Sequence, residues 1–121
     1  MVSAGALGYA KYSATKLAEL RAARTPVFVN ATAAWCITCL ANERAALSGD
    51  GLAADFSMHH IAVLKADWTN RDPEITALLA GQGRSGVPLY LYYAPGAASP
   101  VVLPQLLTKA IVRAALGLPK G

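Results

Sequence analysis

Val27-Phe28-Val29-Asn30-Ala31-Thr32-Ala33-Ala34-Trp35-Cys36-Ile37-Thr38-Cys39 is the stretch on which the fold turns. Val27 to Ala33 is rich in apolar and β-branched residues and follows Pro26, so it reads as a buried central strand. The only two cysteines of the chain stand at its end, three positions apart. Cys36 then falls at the turn into a helix that runs through Ala46 and ends near Ser48-Gly49-Asp50-Gly51, where glycines accept left-handed backbone.

Outward from this unit the alternation continues. Ser13 or Thr15 is placed to cap a helix through Leu20 to Ala23, with Leu17 and Leu20 inward, and Thr25-Pro26 ends it. On the other side Ala53 to Met58 suggests a short helix and His60 to Ala66 a strand. Pro73 suits the first turn of a helix through Ala80. Leu89 to Tyr93 and Val101 to Leu103, separated by Pro95-Gly96, predict an antiparallel hairpin. Pro104 opens a last helix to Leu116, with Leu106, Leu107, Ala110, Ile111 and Ala114 on its apolar side and Gly117 as its stop.

Strands alternating with helices give parallel pairing with right-handed crossovers, and the hairpin adds an antiparallel edge. The expected fold is α/β, a mixed central sheet of about four strands covered by helices on both faces. With 121 residues there is room for one core. Residues 1–12, rich in Gly and Ala, are expected as a flexible N-terminal segment, and residues 13–121 as the domain.

Composition removes several functions. Hydrophobic residues at 55% and charged residues at 15% exclude a disordered chain. The net charge of +4 comes from scattered cations, including Lys11, Lys16, Arg21, Arg24, Lys109, Arg113 and Lys120, with few aromatics between them. That is not a nucleic-acid footprint. No apolar run reaches the roughly 18 residues that span a bilayer. The first residues lack the charged start and apolar core of a secretion signal, so the chain is expected to be cytosolic or a domain cut from a longer protein.

Two cysteines spaced C-x-x-C at a helix start can close a local disulfide. The first sulfur faces the unpaired amides and positive end of the helix, which lowers a thiol pKa from about 8.5 and makes Cys36 the nucleophile. Cys39, one turn in, becomes the resolving thiol. A zinc or copper site is an alternative, but only His59 and His60 could complete it, and neighbours on a strand point to opposite faces. A purely structural disulfide is another, though so small a loop removes little unfolded-state entropy. The setting after a strand in an α/β pattern is the thioredoxin-like redox signature. Val87-Pro88, just before a strand, stands where that fold carries a cis-proline loop beside the sulfurs, an ordinary trans proline being the alternative. In that role the Val87 backbone pairs with an extended partner.

The run quoted above, with Asn42-Glu43, Lys65-Ala66-Asp67-Trp68-Thr69 and Gly86-Val87-Pro88-Leu89-Tyr90, resembles the C-terminal periplasmic domain of the membrane thiol:disulfide interchange protein DsbD and its ScsB relatives. The resemblance covers roughly residues 12 to 117. It implies a protein-disulfide reductase in the periplasm, tethered to the inner membrane and excised here from a larger membrane protein. Electrons would come from a transmembrane domain of the parent and pass to periplasmic disulfide proteins or an N-terminal domain. It also implies a monomer with no cofactor, no metal and no nucleic-acid partner. A reductase for cytochrome c maturation is the variant of this reading within the same chemistry.

The resemblance also assigns residues. Glu43, seven positions after Cys36, matches the second acidic position of that domain, and on the helix it shares a face with Cys39. There it would restrain the thiols from ionising and shuttle a proton; an exposed helix carboxylate is the plain alternative. Asn30 stands where many relatives carry a buried Asp, so the general-base role of that acid is unavailable here. Leu40 replaces a frequent Lys. Trp35 would shield the sulfurs beside the partner peptide, a plain rim-packing role being the alternative, while Trp68, Tyr90, Tyr92 and Tyr93 read as core or sheet-face residues.

Overall fold

The computed structural model describes residues 9–119. Its elements run β1 (Tyr9–Lys11), α1 (Ala14–Ala22), β2 (Val27–Thr32), α2 (Ile37–Ala46), α3 (Asp50–Met58), β3 (Ala62–Asp67), α4 (Pro73–Gly81), β4 (Leu89–Tyr93), β5 (Val101–Val102) and α5 (Lys109–Leu116). The sheet order is β1-β3-β2-β4-β5. β1 and β2 each pair with β3 in parallel, whereas β4 is antiparallel to both β2 and β5. This is the mixed α/β sheet expected from the sequence, with one more strand.

β2 lies at the centre, and all six of its residues are buried. Its side chains alternate between two cores, as the two-residue period of a strand requires. Phe28 joins Tyr90, Val63, Ala46, Phe56 and Val112 beneath α2, α3 and α5. Val27, Val29 and Ala31 join Leu17, Leu64, Ile75 and Leu79 beneath α1 and α4. Asn30 and Thr32 fall by alternation on the Phe28 face, so α2 folds back over two polar strand residues.

Capping chemistry fixes the helix starts. Ser13 Oγ accepts the Lys16 amide, Asp72 accepts the Glu74 amide with Pro73 in the first turn, and Thr108 Oγ1 accepts the Ile111 amide. α5 closes on Gly117 in the left-handed region, at φ +69.

Four sequence expectations change. Residues 9–11 form an edge strand rather than part of a flexible segment, because Tyr9, Ala10 and Lys11 pair in register with Val63, Leu64 and Lys65; residues 1–8 of that segment lie outside the described residues, as does Lys120. The third strand begins at Ala62 rather than His60, since α3 runs to Met58 and its closing bonds, His60 N–H to Ser57 O and Ile61 N–H to Phe56 O, consume the next two residues. His59 and His60 therefore occupy a turn, not a strand. The last helix starts at Lys109 instead of Pro104. Residues 105 and 107 spend their backbone groups on Asn42, whose Nδ2 donates to Gln105 O and whose Oδ1 accepts from Leu107 N–H. Its buried residues are Val112 and Leu116, and Leu106 before it is exposed.

Candidate active site

The polypeptide leaves β2 at Thr32 and enters α2 at Cys36, which is the helix N-cap in extended conformation. Cys36 Sγ accepts the Cys39 amide at 3.1 Å, the place a Ser or Asp oxygen takes at other helix starts. Cys36 and Cys39 form a disulfide. Cys39 is fully buried and Cys36 retains 8% exposure, so Cys36 is the less enclosed residue of the pair. The pair packs with Ala33, and Val87 lies against it. The Val87–Pro88 bond is cis, and Arg84 Nη1 donates to Pro88 O at 3.3 Å.

Behind the disulfide, α2 turns Cys39, Asn42, Glu43 and Ala46 toward the sheet, a spacing of three, four and seven. Glu43 is half-buried, and its Oε2 accepts from Thr32 Oγ1–H at 2.9 Å. The carboxylate is thus pinned to the end of β2, one turn below Cys39. Asn42 Nδ2 donates to the Tyr90 phenol oxygen at 2.9 Å. Asn30 is fully buried; its Nδ2 donates to the Tyr9 phenol oxygen at 3.0 Å, while its Oδ1 has no partner among the described residues. The Tyr9 ring reaches across β3, with Lys65 Nζ 5.7 Å from its centroid.

Both phenols titrate late. Burial, with Glu43 adding to it, pushes Tyr90 up to about 12 despite the bond from Asn42, and burial raises Tyr9 despite the bond from Asn30. The chamber under α2 therefore holds neutral phenols and amides around one carboxylate.

On the outer side, Trp35 is 49% exposed and fixed by the loop after β3. Its Nε1 donates to Thr69 O at 3.0 Å, and the Ala34 amide donates to Thr69 Oγ1 at 2.8 Å. Thr69 in turn donates through hydroxyl and amide to Asp67, which holds that carboxyl below its usual range. Trp68 is buried, its ring centroid 5.9 Å from that of Trp35. Ile37 and Leu40 on α2 are also exposed.

The residues named from the sequence thus converge: Cys36, Cys39 and Val87 touch, Glu43 and Asn30 lie under α2, and Trp35 flanks the motif. His59 and His60 do not join them. They precede β3, whereas the disulfide follows β2, and in parallel strands these are opposite ends of the sheet. Among the described residues no group of three or more His, Cys, Asp or Glu is arranged to hold a metal. Sequence reasoning missed Tyr9, Thr32, Thr69 and Arg71. A polar residue inside the apolar run at Thr32 was a visible signal; the other three are brought in by tertiary contacts alone.

Comparison with known proteins gives concordant matches. A family model described as Thioredoxin-like matches residues 9–95. Thiol:disulfide interchange protein DsbD 1 from Pseudomonas aeruginosa is 35% identical over 80 residues, 66% of this chain. The chain spans only 13% of that relative's length. The C-terminal domain of Neisseria meningitidis DsbD in the oxidised form superposes with a TM-score of 0.61 at 22% identity, covering 88% of this chain and 97% of that one. A thioredoxin from Thermus thermophilus superposes with a TM-score of 0.71 at 20% identity, covering 93% and 85%. At these identities the two structures speak to the fold. No helix among the described residues is long and apolar enough to cross a membrane.

Proposed function

The chain belongs to the thioredoxin-like family, and on that premise we propose that it is a thiol-disulfide reductase domain, relaying electrons from a transmembrane partner domain to periplasmic disulfides. The observation that carries this reading is the Cys36–Cys39 disulfide at the N-terminus of α2, with Cys36 the less enclosed residue and Cys39 fully buried. The DsbD relative supports thiol:disulfide interchange chemistry; the reductive direction, the periplasmic side and the tether to the inner membrane follow from the resemblance to the DsbD C-terminal domain.

The reaction balances within the dithiol. A donor dithiol reduces the Cys36–Cys39 bond with two electrons and becomes a disulfide itself. The Cys36 thiolate, stabilised by the Cys39 amide and the helix dipole, then attacks a partner disulfide. One Cys36–partner bond forms and one partner thiolate leaves. Cys39 loses its proton and attacks Cys36 Sγ, restoring the disulfide and releasing the second partner thiolate. Two electrons and, after protonation, two protons pass to the partner. Glu43, below Cys39, accepts the proton from the resolving thiol. Val87, against the sulfurs, offers its backbone to the extended partner segment, and Trp35 walls that segment on the other side.

The test is trapping. Reduced Cys39→Ala protein mixed with a disulfide-bearing peptide should accumulate a covalent adduct through Cys36 that dithiothreitol releases. A Cys36→Ala variant should form none under the same conditions. An adduct through Cys39 in preference to Cys36, or no adduct at all, would contradict the assignment.

A further inference from the structure

Arg71 follows Trp68-Thr69-Asn70 in the loop between β3 and α4, a segment the dithiol reaction does not use. Its guanidinium carbon lies 5.2 Å from the Trp35 ring centroid and 4.8 Å from that of Trp68. Both distances are within cation–π range, so one cation bridges the two indoles beside the redox motif. The backbone is bent to put it there: φ is +55, a left-handed conformation that few side chains adopt, held by Arg71 N–H to Trp68 O at 2.9 Å.

Among the described residues no carboxylate forms an ion pair with Arg71. Asp67 is engaged by Thr69, Asp72 by the Glu74 amide, and Glu74 by the Ala14 amide. Among the described residues the one ion pair is Arg113 with Asp55. The arginine is exposed, as are Trp35, Ile37 and Leu40 around the disulfide. The result is an apolar face with a fixed cation at its Trp35 side.

We propose that Arg71 makes this face selective for partner segments that carry a carboxylate close to their reactive cysteine. The inference rests on the dithiol-reductase reading and names the partner chemistry of that same site. An extended segment lying over Trp35 advances about 3.4 Å per residue. A Glu or Asp within about two or three residues of the partner cysteine therefore comes within reach of the guanidinium. Because both indoles hold that group in place, the pairing loses less side-chain freedom than an ordinary surface ion pair.

The experiment measures second-order rate constants of the reduced full chain with three peptides. Each is joined by a disulfide to a chromogenic aromatic thiol, and they differ only in Glu, Gln or Lys two residues from the cysteine. The expected order is Glu, Gln, Lys, spread by about three- to tenfold at low ionic strength and collapsing in about 0.5 M salt. Arg71→Glu should invert the order, and Arg71→Lys should restore its direction with a smaller spread. A parent protein that reduces all three equally, or an Arg71→Glu variant that keeps the parental order, would overturn the inference while leaving the reductase reading intact. A parent that reduces none of them would contradict that reading and this inference with it.

Discussion

Asn30, fully buried in the central strand, donates its amide Nδ2–H to the phenol oxygen of Tyr9 at 3.0 Å, reaching from β2 across β3 to the sheet edge. The short edge strand is thereby tied to the chamber behind the disulfide. Among the described residues Asn30 Oδ1 has no partner, and the bond to Tyr9 is the one hydrogen bond of the side-chain amide. Tyr9→Phe keeps the ring and removes the acceptor, leaving a buried donor unsatisfied. The expected cost is about 1–3 kcal/mol. Urea denaturation checks it, and an unchanged midpoint with an unchanged slope would show that the bond carries no stability.

Glu43 is held by Thr32 one turn below Cys39. A negative charge there disfavours thiolate formation, and Glu43→Gln removes the charge while keeping an oxygen for Thr32 to donate to. The reduced variant should ionise its thiols at lower pH than the parent, with faster attack on a disulfide at neutral pH. Absorbance of the thiolate across pH reads this directly. Superimposable titration curves and equal rates would remove Glu43 from the mechanism.

All five tyrosines are raised above 10.0, burial being the largest cause in each, and Tyr90 reaches about 12. The folded state holds the phenol protons more tightly than the unfolded chain does. Their contribution to stability is therefore present below about pH 10 and lost as pH rises from there through the folded values. Phenolate absorbance followed together with denaturant stability should show late ionisation, with stability falling between about pH 10 and 12. Five phenols titrating together near pH 10 in a protein that stays folded would contradict the buried arrangement.

Much of this was legible in the chain. Val27–Thr32 announced itself as a central strand because both its faces are buried, which makes a continuous apolar run, and Cys36 marked the helix start that follows. The place of Val87-Pro88 before a strand marked it beside the motif, and the resemblance to DsbD then pointed to Glu43 and Asn30. Tyr9–Lys11 was not legible, since three exposed residues on a sheet edge carry no period. The start of α5 was misplaced because Pro104 is a good first-turn residue locally, whereas Asn42, more than sixty positions away, claims the backbone at 105 and 107. Nothing in its local sequence, a polar turn, singled out Arg71. Only the fold brings it onto Trp35 and Trp68.

Whether the Cys36/Cys39 dithiol donates electrons, as proposed, is read from its reduction potential. Equilibration of the full chain in glutathione and dithiothreitol redox buffers, with the fraction of free thiol measured at each poise, gives the value. An electron-donating dithiol is expected to equilibrate below about −220 mV, in the range of reducing dithiols. A value near about −120 mV, typical of a strong thiol oxidant, would contradict it.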